Sequence, residues 1–349
     1  MKKSLIALAV MAASGAAMAQ SSVSVYGLVD IWLGSSKSEA SVGGTVASAR
    51  ETVLNSQGFN TSRIGFKGTE DLGGGLKANF TIETSISPDQ PTPTSLGNRV
   101  ASIGLSGGFG SVELGKSWTP YDDTRAMAND TFNANIASSF STWLAYEDNP
   151  NNQIRYNTPS FGGFTASAAY AFGEDKNTAG AIGASSITSL SLNYANGPIV
   201  AGVAHQIEND KGALVDSTGL RTVPSNGKAT YTLINGSYDL GVAKLIGGYN
   251  QVKITEVGVA GNAKANEFNI GADAPLGANL AVGVGYSQSK VKFNGVSAFK
   301  TTGYSAALKY NLSKRTFAYA ALTQTKLKDA ASTDYVKSNL YAVGLQHSF

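Results

Sequence analysis

The chain has 349 residues, no cysteine, and 27 basic against 24 acidic side chains, with only 15% of its residues charged. No disulfide framework can hold it, and so even a charge balance offers nothing for a nucleic-acid partner, which usually needs a basic patch. Glycine is abundant at 40 and proline scarce at 9, and the sequence shows no defensible amphipathic helix.

At the N-terminus, Met1-Lys2-Lys3 is followed by an apolar stretch over Leu5–Ala13 and by Ala17-Met18-Ala19. That order predicts a secretory signal peptide over residues 1–19, cleaved before Gln20. The expected mature chain, Gln20–Phe349, is one domain of 330 residues with 25 basic and 24 acidic side chains. It has no run of 18 apolar residues, so no transmembrane helix is expected.

From there the periodicity is two. Over 164–173, Phe164, Ala166, Ala168, Tyr170 and Phe172 alternate with small or polar residues. Over 278–289, Leu280, Val282, Val284 and Tyr286 do the same, and at the end of the chain so do Tyr341, Val343, Leu345, His347 and Phe349. A strand places the two sets on opposite faces. The apolar set often ends in Tyr or Phe and the other set is small and polar, as expected for lipid outside, water inside and an aromatic girdle between.

The connections alternate in length. Seven tight turns are expected at Glu70–Gly75, Ser106–Gly110, Thr158–Gly163, Ala195–Pro198, Asp239–Gly241, Pro275–Ala278 and Asn311–Arg315. Eight longer polar stretches lie between them, at 36–60, 87–97, 118–150, 174–186, 208–226, 253–264, 291–300 and 328–337. Seven turns and eight loops join 16 strands, predicting an all-β, 16-stranded antiparallel transmembrane barrel with short periplasmic turns and long external loops.

At this point a family resemblance is legible. It is carried by Val23-Ser-Val-Tyr-Gly-Leu-Val-Asp30, Ser62-Arg-Ile-Gly-Phe-Lys-Gly-Thr-Glu-Asp-Leu-Gly-Gly-Gly-Leu76, Gly104-Leu-Ser-Gly-Gly-Phe-Gly-Ser-Val-Glu-Leu-Gly-Lys116, Asn152-Gln-Ile-Arg-Tyr-Asn-Thr-Pro-Ser-Phe-Gly-Gly-Phe164 and the terminal Phe349. In this order and spacing the chain resembles the Gram-negative trimeric porins, of the β-proteobacterial Burkholderia, Bordetella and Comamonas type. The resemblance implies a homotrimer in outer-membrane lipid and lipopolysaccharide, a third loop folded into the pore, and a terminal aromatic residue that marks the chain for membrane insertion. It also implies that a second-loop latch, here 87–97 with Pro88, Pro91 and Pro93, joins the strands near the chain ends in the trimer contact.

A pore's selectivity is set by the size and charge of its narrowest lining. Arg63, Arg99 and Arg155 open the second, fourth and sixth predicted strands, a basic ladder spanning roughly 19 Å of wall at the usual strand spacing. The resemblance places arginines at these positions in the constriction. Lys67 shares the parity of Arg63, while Lys77 and Glu113 point inward from the third and fifth strands. Arg99 shares the outward parity of Ala101, Ile103 and Leu105, so an inward position requires a bulge at the strand start. In the third loop, Asp122 and Asp123 are candidates to oppose the ladder and set up a transverse field; capping a turn after Thr119-Pro120 is the alternative. Trp118, Tyr121 and Trp143 either offer a stacking surface or pack the loop to the wall, and Trp32 is read as packing beneath a loop.

Only two histidines occur, and no nucleophile elbow, metal-spaced set or phosphate loop accompanies them, so neither an enzyme nor a cofactor is expected. The expected function is passive diffusion of small ions and hydrophilic solutes with mild anion preference. A substrate-specific channel and a surface adhesin using the external loops are the alternatives.

Overall fold

The computed structural model describes residues 22–91, 94–174, 185–209, 227–256 and 261–349. The expected signal peptide, Pro93, most of the loops expected at 174–186 and 208–226, and residues 257–260 of that expected at 253–264 lie outside the described residues. The strands are β1 (Ser22–Val42), β2 (Thr45–Ser56), β3 (Arg63–Gly73), β4 (Leu76–Ser85), β5 (Val100–Gly107), β6 (Gly110–Lys116), β7 (Gln153–Asn157), β8 (Phe164–Phe172) and β9 (Ser186–Asn196). They continue with β10 (Ile199–Asn209), β11 (Gly227–Asp239), β12 (Lys244–Glu256), β13 (Ala263–Pro275), β14 (Leu280–Phe293), β15 (Val296–Asn311), β16 (Thr316–Asp329) and β17 (Tyr335–Ser348).

From β3 onward each strand pairs antiparallel with the next, and β17 returns to β1 with Leu28 opposite Ser348. The sheet is closed. β2 and β3 together fill one place in the wall: Ile31–Val42 of β1 pairs with β2, and Ser22–Leu28 pairs with β3. Seventeen elements therefore make sixteen staves. Between β2 and β3 the chain leaves the wall, and Asp30 gathers it. The Asp30 carboxylate accepts from the Gly58, Phe59 and Asn60 amides at 3.1, 2.9 and 3.0 Å and from the Tyr319 hydroxyl at 2.6 Å. Trp32 is buried under this excursion and donates its indole N–H to the Ser56 carbonyl at 3.1 Å, as packing beneath a loop requires.

The seven tight turns stand where the sequence places them. Two of the expected loops do not. The stretch 36–60 is mostly a tall hairpin, with β1 and β2 running on to a Gly43-Gly44 turn. Likewise 291–300 is the top of the β14–β15 hairpin, turned at Asn294-Gly295. Their polar composition reflects strands that stand beyond the lipid, where both faces meet water.

Side-chain distribution is the inverse of a soluble protein's. Val25, Ile103, Leu192, Ile234, Ile270, Val284 and Leu345 are exposed on the outside. Ser189, Asn193, Gln206, Asn250, Glu267, Asn269 and Ser287 are buried on the inside. Apolar residues face out because lipid is the outer solvent.

What buries the inner polar residues is the segment between β6 and β7, the expected third loop, folded inside the barrel. It carries helices α1 (Pro120–Met127) and α2 (Ser138–Thr142). Thr119 caps α1, its hydroxyl accepting from the Asp122 amide at 3.2 Å, with Pro120 in the first turn where its missing N–H costs nothing. Between the helices, Thr131, Phe132 and Asn133 all take positive φ, at 51°, 61° and 53°. Left-handed non-glycine residues cost about 1–2 kcal/mol each, and wall contacts hold them. The Phe132 amide donates to Asp273 Oδ1 at 3.1 Å, and the Thr131 and Ser305 hydroxyls lie 2.5 Å apart.

The loop is fastened along β9–β16. The Tyr121 amide donates to Ser189 at 3.0 Å, the Leu144 amide to Glu267 at 2.7 Å, and Thr323 to the Ile136 carbonyl at 2.6 Å. Gly285 gives it room, because a Cβ there would overlap the buried carboxylate of Asp130.

Candidate pore constriction

With the loop docked on β9–β16, the wall left facing it is β3–β7, which carries the predicted ladder. Arg63 begins β3, and its Nε lies 3.5 Å from Glu83 Oε2. Arg99 precedes β5, and its Nε lies 2.7 Å from Glu83 Oε1. Val100 is the register partner of Glu83, and the Arg99 amide donates to the Glu83 carbonyl at 3.1 Å. Two residues therefore oppose one, the pattern of a bulge. This turns the Arg99 guanidinium inward against its nominal parity, over the Trp118 ring at 4.9 Å.

Arg155 lies in β7 and is held at three points. Its Nη2 is 2.5 Å from Asp123 Oδ2, Nη1 donates to the Trp118 carbonyl at 2.8 Å, and Nε donates to Asn157 at 2.9 Å. Glu113 on β6 is its register partner across the strand pair. Lys67 sits four residues further along β3 than Arg63, about 13 Å at the usual rise, with its ammonium 5.2 Å from the centre of the Tyr26 ring. Lys77 is not part of this group. It stands opposite Asp71 beside the Gly73–Gly75 turn, about 20 Å along β4 from Glu83.

The two loop carboxylates have different fates. Asp123 meets Arg155. Asp122 turns into the loop, where it accepts from the Tyr146 hydroxyl at 2.5 Å. Burial pushes its carboxyl up to about 7, and the charge of Asp148 adds to the rise. Both stand in the first turn of α1, where they complement the helix N-terminus, but neither caps the turn: Thr119 supplies the cap. Among the loop acids, only Asp123 forms an ion pair with the ladder in the described residues. The other paired acid is Glu83, on the same wall as the arginines.

Glu83 is the residue that the sequence reading passed over. Its signal was available: it shares parity with Lys77 on the same strand, so an inward Lys77 implies an inward Glu83. Of the loop aromatics, Tyr121 is fully buried and Trp143 donates to the Phe268 carbonyl at 3.3 Å, so both pack the loop. Trp118 alone lies against the ladder.

Comparison with known proteins agrees with this architecture. The family model described as Gram-negative porin matches residues 5–330. The chain belongs to the Gram-negative porin family. It is 37% identical to outer membrane porin protein 32 of Delftia acidovorans, over 99% of this chain and 95% of that protein. It is 30% identical to the major outer membrane protein P.IB of Neisseria gonorrhoeae over the full length of both. Among solved structures, an anion-selective porin from Comamonas acidovorans superposes with a TM-score of 0.75 at 30% identity, covering 95% of this chain and all of that one. This porin is thus an outer-membrane protein that crosses the bilayer with its staves, short turns at the periplasmic end and long loops outside.

Proposed function

We propose that this porin is a passive, mildly anion-selective diffusion channel whose constriction lies between the β3–β7 wall and the third loop. The carrying observation is the charge of that wall. Arg63, Arg99, Arg155 and Lys67 bring four positive groups; Glu83, Asp123 and Glu113 bring three negative ones. Asp122, turned into the loop against Tyr146 and half protonated near pH 7, adds little. A small positive surplus in a narrow gap flanked by low dielectric favours anions without excluding cations. The relative from Comamonas described as anion-selective supports the same sign.

Size is sorted at the gap, and nothing along the path requires energy input. The channel works as a homotrimer, a reading supported by the trimer form of an outer membrane protein of Vibrio cholerae with the same fold. Its contact surface is the apolar outer face near the chain ends, with Val23, Val25, Leu33 and Ile103 exposed there, together with the 87–97 segment.

The test is the reversal potential of reconstituted mature protein in a planar bilayer under a KCl gradient. The expected sign is anionic, and it falls toward zero when Arg63 and Arg155 become Gln. A cation-selective wild type would refute the wall assignment, and absence of stepwise conductance would refute the channel itself.

A further inference from the structure

Glu113 and Arg155 face each other across β6 and β7. Such partners have Cβ atoms about 5 Å apart, yet these two form no ion pair with each other. The docked loop explains the gap. Arg155 is drawn to Asp123, the Trp118 carbonyl and Asn157, which takes three of the five N–H donors of its guanidinium. Glu113 is left with no hydrogen bond and no ion pair among the described residues. A carboxylate and a guanidinium, each with bonding capacity to spare, are thus held apart by a third group.

Beside them the wall is hollow. A recess of about 200 Å³ is lined by Asn79, Thr81, Ser102, Ser111 and Glu113, all of inward parity on β4–β6. Its floor is Gly104, where a Cβ would overlap the Val112 carbonyl oxygen, so the strands themselves keep a side chain out. The recess lies on the periplasmic side of the ladder. Thr81 and Asn79 are the next two inward positions below Glu83 on β4, and Ser102 follows Arg99 down β5. Asn79 accepts from Thr69 at 3.0 Å and donates to Ser106 at 2.8 Å, and Ser111 accepts from Asn157 at 3.1 Å. These bonds fix the sides. The Thr81 and Ser102 hydroxyls and the Glu113 carboxylate make no hydrogen bond among the described residues, and they face the hollow.

We propose that this recess is a binding station for small zwitterionic α-amino acids. The ammonium sits on Glu113 and the two free hydroxyls; the carboxylate takes the N–H donors of Arg155 that the loop leaves over. An α-amino acid carries both charges on one carbon, which suits an acid and a base on neighbouring strands. Both new contacts are charge-assisted, and both partners are already in place, so little ordering is needed on binding. At about 30 Å³ for each water-sized group, the recess holds roughly six of them, about the bulk of alanine. The station rests on the channel reading above and adds a solute class that a positive wall alone would not select.

The experiment records open-channel noise of the full protein reconstituted in a planar bilayer, in about 0.1 M KCl, where charges within the gap still feel one another. Alanine, propionate and ethylammonium are added in turn; the three share a frame and differ in which charges it carries. Alanine is expected to dwell about tenfold longer than either singly charged analogue, the loss of one charge-assisted contact. Glu113→Gln brings alanine down to the propionate level. Ser102→Leu, which fills the recess and leaves every charge in place, does the same. Conductance steps in KCl alone show that each variant is an intact pore; a wild type without steps would sink the channel reading instead. Equal dwell times for alanine and propionate in the wild type, or an alanine dwell unchanged in either variant, would overturn the proposal.

Discussion

Arg99 Nε stands 2.7 Å from Glu83 Oε1, and the other oxygen of the same carboxylate faces Arg63 Nε at 3.5 Å. One acid thus spaces two guanidinium groups and cancels part of their charge. Replacing it by Gln removes a unit negative charge beside the ion path. At the distances of a solvated gap that is on the order of 1 kcal/mol for a passing ion, or about fivefold in chloride-to-potassium permeability. The expected shift in Glu83→Gln is therefore toward stronger anion selectivity, read as a reversal potential. The two arginines lose their spacer, so noisier open-channel current accompanies the shift.

Asp122 and Asp123 are adjacent in sequence and opposite in role. Asp123→Asn releases Arg155 from its ion pair and raises anion preference by a similar, several-fold factor. Asp122→Asn leaves the permeability ratio at neutral pH close to wild type, because this carboxyl lies against Tyr146 inside the loop. Measuring the two variants side by side under the same salt gradient separates them; equal shifts would contradict the geometry.

The raised pKa of Asp122 makes loop seating depend on pH. Its folded value of about 7 lies above the ordinary 3.8, so between these limits the docked loop holds a proton that an undocked loop releases. Docking is then fully favoured at the acid end and loses stability as pH rises from about 4 through 7. Single-channel recordings are expected to show more frequent loop-dependent flicker at pH 8 than at pH 5. Asp122→Asn flattens that dependence, and an unchanged slope in the variant would assign the titration elsewhere.

Gly285 leaves the wall open where the loop's Asp130 carboxylate sits. In Gly285→Val the new side chain occupies the site of the Asp130 carboxylate, which accepts from Ser138 at 2.5 Å and Ser139 at 2.8 Å. Overpacking of this kind costs about 1–3 kcal/mol, here directed at loop docking. The barrel still forms, since its own hydrogen bonds are untouched. The expected result is a larger, unsteadier conductance with little change in the thermal unfolding of the barrel.

The staves and their turns were legible because a strand between lipid and water must alternate strictly, and residues such as Val282, Val284 and Tyr286 carry that pattern openly. The tops of β1, β2, β14 and β15 were not, because beyond the lipid both faces meet water and the alternation fades into polar sequence. Arg63 and Arg155 stand where the alternation of their strands allows an inward side chain, and the strand starts and the resemblance singled them out. Arg99 does not, since a single bulge reverses its face and leaves no mark in composition. The pairing of Asp123 with Arg155 joins residues 32 positions apart through the path of an irregular loop, which periodicity cannot trace.

The last residue of the sequence, Phe349, is hydrogen-bonded to the first described strand. Phe349 N donates to the Gly27 carbonyl at 3.1 Å, and Gly27 N donates to the Phe349 carbonyl at 3.2 Å. The seam between β1 and β17 can therefore be sewn only once the chain has been made as far as Phe349, and until then both margins are unpaired strands of the kind that recruit other chains. Nearly every other strand pairing is with a near neighbour in the sequence; this one alone spans the molecule and sets its slowest step. Removal of β17, Tyr335–Ser348, leaves the cylinder open along its whole height, so a chain truncated before Tyr335 is expected to present itself to quality-control proteases as an open ribbon.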